Sequence, residues 1–196
     1  MEELKPLDEM SKPDPRMKTF AKYDRTVDDY RPFEVKDIYQ TAAEFHVNES
    51  APEEIQNSFA VAQNMYAYSW YYYPLNSEAG FLALRTTEQA LKIRMDMIKA
   101  KIGLSALVSM AIERGLLSED GYTIPEPSEE YMEMIKELTG AYPEQPRQSF
   151  LERLPKMLAG MRNSPAHGEV SIHPLGALML RISAETINQL YPIENA

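Results

Sequence analysis

The chain has 196 residues, 44% of them hydrophobic, and contains no cysteine; this composition fits one globular domain and argues against global disorder. The lack of cysteine excludes disulfides, thiolate metal sites and cysteine nucleophiles. The net charge of -10 disfavours indiscriminate nucleic-acid binding, because such affinity comes from neutralising phosphates. No apolar run approaches the ~20 residues of a membrane span, and the N-terminus lacks an apolar signal core, so we expect a soluble, cytoplasmic protein.

The first 35 residues are rich in charge and proline, with Pro6, Pro13, Pro15 and Pro32 spread through them. Proline fixes φ and lacks a backbone donor, so this stretch is predicted to be an extended N-terminal arm. The rest, residues 36–196, is predicted to form one helical domain. We find no alternating pattern typical of strands in the chain.

Two helices are predicted after a short one over residues 35–45. The first begins at Ser50-Ala51-Pro52 and ends at Pro74, because proline suits a first turn and cannot continue a helix. Its apolar residues recur at steps of three and four along one face: Ile55, Phe59, Ala62, Tyr66, Trp70 and Tyr73. We interpret these aromatic residues as core and dimer surface.

The next helix, over residues 76–99, carries two apolar stripes, which is typical of a central helix in a bundle. Glu88 falls on the second stripe, between Leu84 and Leu91. A carboxylate on an apolar face needs a partner or a raised pKa. Glu88 is therefore predicted to be buried and paired.

Further helices are predicted over residues 104–114, 127–138, 147–163 and 173–191. The first of these stops at Gly115, and the third contains Pro155, where it kinks or begins. The fold class expected from these patterns is all-α, a bundle of about five to six helices.

The charge is unevenly distributed along the chain. Residues 85–101 hold five bases and two acids, and residues 147–168 hold four bases and one acid, so each stretch carries +3. A surface made by both stretches would hold a few phosphates despite the acidic whole. The alternative, that both are solvated helix faces, is the commoner fate of such charge runs.

The segment Arg162-Asn163-Ser164-Pro165-Ala166-His167-Gly168 carries the residues best suited to chemistry. Arg162 lies in line with the leucines of the preceding helix, so it is predicted to face the core and to need an anion, for which Glu88 is available. Pro165 disfavours helical geometry at Ser164, so the helix is predicted to end near Asn163. A turn there would let His167 swing back beside Arg162.

These residue types form a usable set for phosphodiester chemistry. Arginine holds a phosphate through two donors and stabilises charge as it builds. Histidine titrates near neutral pH and moves protons, and Asn163 would orient a ribose hydroxyl or the histidine. On residue chemistry alone, a helix end followed by a surface histidine is the favoured alternative.

The same segment resembles the Arg-x(4–6)-His motif of the HEPN family, in the form Arg-Asn-x-x-Ala-His-Gly. Residues 83–94 resemble the central helix of that family, which often carries an acid at the position of Glu88, and the resemblance covers roughly residues 52–192. It implies an all-helical, commonly dimeric protein. Many members are metal-independent endoribonucleases in which the motifs of two protomers meet in one cleft, and others keep the fold without cleaving anything.

The function that this resemblance implies is metal-independent RNA cleavage, in a toxin–antitoxin or phage-defence setting. Arg162 would stabilise the transition state, His167 would act as general acid or base, Asn163 would position the ribose 2′-hydroxyl or the phosphate, and Glu88 would orient Arg162. The product would be a 2′,3′-cyclic phosphate. The expected partners are a second copy of the chain, RNA and an antitoxin protein; no cofactor, metal or membrane is expected. The alternative function is a non-catalytic module that binds a nucleotide or a partner protein.

Overall fold

The computed structural model describes residues 3–123, 149–163 and 175–193, together with Lys136; the side chain of Asn163 lies outside that description. These residues form six α-helices and one two-stranded antiparallel hairpin. The helices are α1 (Val35–Glu44), α2 (Glu53–Tyr68), α3 (Leu75–Arg94), α4 (Leu104–Glu113), α5 (Phe150–Asn163) and α6 (Gly176–Leu190), and the strands are β1 (Ala21–Asp24) and β2 (Asp29–Pro32). The predicted helical architecture is confirmed in outline, whereas the expectation of an all-α chain is wrong at the hairpin. Likeness to a HEPN bundle remains a prediction.

Helices α3 and α6 form the central pair of the bundle. Both predicted stripes of α3 are buried, as Ala90 on one and Leu84 on the other show at 0% exposure. The two helices approach closely where Gly176 at the start of α6 lies against Asn76 in the first turn of α3. The Gly176 N–H donates to Asn76 Oδ1 at 3.0 Å. A central helix with small residues at its contacts thus positions the rest of the bundle.

Helix α2 buries the face that its apolar spacing predicts. Its buried residues are Ile55, Phe59, Ala62 and Tyr66. The helix ends at Tyr68 rather than at Pro74, because the buried Ser69 hydroxyl donates to the Tyr66 carbonyl at 2.7 Å and a turn follows. Local side-chain to backbone bonding of this kind competes with helix continuation.

The N-terminal segment packs onto the body of the protein instead of extending away from it. The Asp14 N–H donates to the Trp70 carbonyl at 2.8 Å, and the Asp14 carboxylate accepts from the Tyr73 N–H at 2.9 Å. Met17 is 4% exposed, and the Phe20 ring stacks on Tyr73 with centroids 5.7 Å apart. The segment therefore covers part of the aromatic surface that motivated a homodimer, and dimerisation remains a prediction.

The hairpin is attached to α1 by charge rather than by an apolar face. Asp37, with a side chain 1% exposed, accepts two hydrogen bonds of 2.7 Å from Arg31 on β2 and one of 3.1 Å from Lys22 on β1. The Arg31 guanidinium in particular holds the pKa of Asp37 well below its ordinary value. Most strand residues are exposed, so the alternation of polar and apolar residues that reveals strands was absent from the sequence.

The remaining helix boundaries lie close to the predicted ones. Helix α3 ends at Arg94, short of residue 99, and Asp96 beyond it adopts a left-handed φ of 57°. Gly115, with a left-handed φ of 67°, lies just after the end of α4, where the sequence predicts that this helix stops. Helix α5 begins at Phe150 and continues through Pro155. The predicted helix over residues 127–138 lies outside the described residues. No helix of the described part is both long and apolar enough to cross a membrane.

Candidate functional site

Helix α5 carries Arg162 in its last turn. The leucines one and two turns earlier, Leu158 and Leu154, are fully buried, and the start of the helix is fixed by Glu119, whose carboxylate accepts from the Phe150 N–H at 2.8 Å. Arg162 itself is 44% exposed, so the expectation that it faces the core is wrong. The reason is its position at the end of α5, where the buried stripe reaches the edge of the bundle and opens onto a groove.

The predicted contact between Arg162 and Glu88 is present. Arg162 Nε lies 3.2 Å from Glu88 Oε2, and the Glu88 side chain is 13% exposed. Glu88 is held between the buried residues Leu84 and Leu91 on α3, which fixes the position of its carboxylate. The burial and pairing predicted for Glu88 from its place on an apolar stripe thus agree with the structure. Its role in orienting Arg162 for catalysis remains a prediction.

Lys92 is a second partner of Glu88 that the sequence reasoning did not identify. Lys92 Nζ donates to Glu88 Oε1 at 2.7 Å, and the Lys92 side chain is 24% exposed. The signal was available, because a glutamate four residues before a lysine is a favourable pair on a helix surface. One carboxylate therefore holds a cation on each of its oxygens, Lys92 from α3 and Arg162 from α5.

The Oε2 atom of Glu88 is in an unusual state. It is buried and accepts no hydrogen bond from a described residue, although Arg162 Nε is 3.2 Å away. The pair is thus held by charge at Oε2 and by a hydrogen bond at Oε1. The guanidinium of Arg162 makes no hydrogen bond to another described residue.

A groove of about 520 Å³ opens beside this carboxylate. The side chains that line it come from the first turn of α2, from the second half of α3 and the segment after it, and from the end of α5: Glu54, Arg85, Glu88, Gln89, Lys92, Ile93, Ile98 and Arg162. Two bases of the first basic stretch, Arg85 and Lys92, and one base of the second, Arg162, therefore line one groove. This arrangement favours the prediction that the two stretches form a surface for phosphates over the alternative that they are separate solvated helix faces.

The other two predicted catalytic residues fall outside the description. His167 belongs to residues 164–174, which the structure does not describe, and of Asn163 only the helical backbone is described. The structure therefore brings Arg162 and the supporting residue Glu88 together. The approach of His167 and of the Asn163 side chain to them remains a prediction.

A cleft of larger volume lies elsewhere in the described part of the chain and does not involve the predicted residues. It has a volume of about 780 Å³ and lies between the α1–α2 connection and the ends of α3 and α6. Several of its polar groups are already engaged: the Asn48 amide and the Ser50 hydroxyl both donate to the Tyr191 carbonyl, at 3.0 and 2.6 Å, and the Arg94 guanidinium lies 6.0 Å from the centre of the Tyr191 ring. This cleft joins three elements through internal contacts, so the Arg162 groove is the stronger candidate.

The comparisons with known proteins give this chain no relative: no family model matches it, and no curated protein or solved structure shows significant similarity.

Proposed function

We propose that this chain is a metal-independent endoribonuclease of HEPN type, with the groove between α3 and α5 holding the phosphodiester that is cleaved. The observation that carries the proposal is the placement of Arg162: its Nε lies 3.2 Å from Glu88 Oε2, its side chain is 44% exposed, and it lines the groove. An arginine that is fixed on one side and exposed on the other is suited to bind a phosphate and to stabilise charge that builds on it.

The reaction that we propose is an attack by the ribose 2′-hydroxyl on the neighbouring phosphorus. The new bond joins the 2′-oxygen to phosphorus and the bond to the 5′-oxygen breaks, which leaves a 2′,3′-cyclic phosphate and a free 5′-hydroxyl. His167 takes the 2′-hydroxyl proton as general base or supplies a proton to the departing oxygen as general acid. Arg162 binds the non-bridging oxygens, Glu88 orients Arg162, and Asn163 positions the 2′-hydroxyl or the phosphate.

The second candidate function is a non-catalytic module that binds a nucleotide or a partner protein such as an antitoxin. It is favoured by the nature of the described groove residues, among which three cations and the Gln89 amide are suited to binding an anion. Proton transfer in the first proposal depends on His167. The ribonuclease therefore requires the His167 side chain, whereas the binding module does not.

The deciding experiment compares the wild-type chain with His167→Ala on a mixed pool of single-stranded RNA in excess EDTA. Cleavage by the wild type with cyclic-phosphate ends, lost in His167→Ala at unchanged helical circular dichroism, is the expected result. The rate of RNA cleavage by the wild type should decline at acid pH, because the basic form of His167 is lost. His46→Ala serves as the matched control, since His46 is exposed and lies away from the groove, on the α1–α2 connection.

Two outcomes would count against the enzyme. Equal cleavage by the wild type and by His167→Ala would point to a contaminating nuclease. The absence of cleavage by both, with the groove intact, would favour the binding module, and a search for a nucleotide or protein that copurifies with the chain would follow.

A further inference from the structure

One face of α3 presents a row of nitrogen-bearing side chains to the Arg162 groove. Arg85, Gln89 and Lys92 follow one another at steps of four and three residues, so they share a face of the helix. All three line the groove, and Arg162 reaches it from α5. The groove is thus bordered by donors along its length as well as at the proposed site of cleavage.

The charges of this row are only partly neutralised. Glu88 serves both Lys92, at 2.7 Å, and Arg162, at 3.2 Å, so one negative charge is shared by two cations. Arg85 is exposed and forms no ion pair with another described residue. The second carboxylate of the groove, Glu54, opposes the binding of an anion. Among the described residues that line the groove, three cations face two carboxylates, a small positive excess on a chain whose net charge is -10.

The spacing of the row fits more than one phosphate. Seven residues separate Arg85 from Lys92, which corresponds to a rise of about 10 Å along the helix axis. Ile98, which is 66% exposed, and Ile93 add an apolar wall to the same groove. Single-stranded nucleic acid is bound by positively charged grooves that track its backbone, and its unstacked bases are free to contact side chains.

We infer that Lys92 and Arg85 form a track for the phosphates next to the one held by Arg162, so that the groove binds a single strand across several nucleotides. The inference rests on the proposed function, because it takes Arg162 as the contact of the reacting phosphate. It adds two binding residues outside the sequence motif, Arg85 and Lys92.

The test measures binding apart from cleavage. The probe is a fluorescein-labelled 2′-O-methyl oligouridylate of about 12 nucleotides, which lacks the free 2′-hydroxyl and cannot be cut. Its dissociation constant is measured by anisotropy over a series of salt concentrations. Arg85→Gln and Lys92→Gln are each expected to weaken binding about fivefold at moderate salt and to lower the salt slope by about 0.7, the value for one phosphate contact on a single strand.

Three further variants make the test specific. Lys36→Gln is the matched control, because Lys36 also pairs with a glutamate, Glu34 at 2.8 Å, but lies on α1 away from the groove; it should bind like the wild type. Lys92→Arg keeps the charge and should keep the salt slope. Glu54→Gln removes the opposing carboxylate and should tighten binding. Arg85→Gln carries the test even if loss of Lys92 weakens the fold, since Arg85 has no ion pair to lose among the described residues.

The outcomes separate this inference from the proposed function. If the track variants bind more weakly while the wild type leaves unmodified RNA intact, the track stands and the ribonuclease fails. If the wild type cleaves RNA but Arg85→Gln and Lys92→Gln bind like Lys36→Gln, the track is wrong and the ribonuclease stands. Failure of the wild type to bind the probe at low salt, or equal binding of an RNA duplex of the same length, would also overturn the track.

Discussion

The substitution Glu88→Gln tests whether one carboxylate organises the groove. It keeps the size of the side chain and removes the charge that faces Lys92 Nζ at 2.7 Å and Arg162 Nε at 3.2 Å. A fully buried pair loses roughly 3–5 kcal/mol when one partner is removed, whereas an exposed pair contributes only about 0.2–1 kcal/mol. Because Glu88 is 13% exposed but Arg162 is 44% exposed, both cations regain some hydration. We expect a loss of about 1–2 kcal/mol.

The assay is urea denaturation followed by circular dichroism, with thermal melting beside it. For a domain of this size, the expected loss corresponds to a fall in Tm of about 2–8 °C. A double-mutant cycle with Arg162→Gln isolates the pair itself, and a coupling energy of about 0.5–1 kcal/mol is expected. The control is Glu9→Gln, because Glu9 pairs with Lys12 at 3.4 Å on an open surface with both side chains about half exposed.

The reasoning would be refuted if Glu88→Gln and Glu9→Gln had the same denaturation midpoint as the wild type. In that case the carboxylate would not be holding the two cations, and the orientation of Arg162 would need another explanation. A coupling energy of zero with a clear loss in Glu88→Gln would instead show that Lys92, and not Arg162, is the partner that matters for stability.

Two further predictions concern packing and acid stability. Gly176→Ala should destabilise the fold by about 3 kcal/mol, because the new Cβ would overlap the Asn76 carbonyl oxygen and lie 2.6 Å from Asn76 Oδ1. Gly160→Ala should instead stabilise α5 by about 0.5–1 kcal/mol, because its new Cβ meets no described atom within 4 Å. Equal midpoints for the two variants in urea would refute the close helix contact. Burial alone would raise the pKa of Asp14, but hydrogen bonds from Arg16 and a backbone N–H lower it from 3.8 to about 2, so its stabilising effect is complete above about pH 4 and is lost as the pH falls towards 2. Asp14→Asn should flatten the dependence of stability on pH in that window, and an unchanged slope would contradict the assignment.

The helical part of the fold could be predicted from the sequence, because apolar residues recur at helical spacing along it. The stripe of α2 and the two stripes of α3 are sets of apolar residues at steps of three and four, and burial of those faces is the dominant favourable term in folding. Gly115 after α4 was equally legible, since its left-handed φ of 67° is favourable for glycine.

The N-terminal segment was not legible in the same way. Its prolines indicated irregular backbone, but the hairpin is held by Asp37 with Arg31 and Lys22, and the preceding turn by Asp14 against the Trp70–Tyr73 backbone. Contacts of charged groups with other elements leave no periodic signal in the sequence. Hence the N-terminal segment covers part of the aromatic surface that the sequence analysis had assigned to a dimer interface.

For the candidate site, the sequence determined by itself that Glu88 needed a partner, because a carboxylate on an apolar stripe is costly when unpaired. It also supplied Arg162 as the cation, and it left open whether the two basic stretches hold phosphates or are solvated helix faces. Only the tertiary structure decided that Arg162 is half-exposed at the end of α5, that Lys92 shares Glu88 with it, and that bases of both stretches line one groove. The physical reason is that periodicity assigns a residue to a face of its own helix, whereas exposure at a helix end and contact between helices depend on where the neighbouring elements stop.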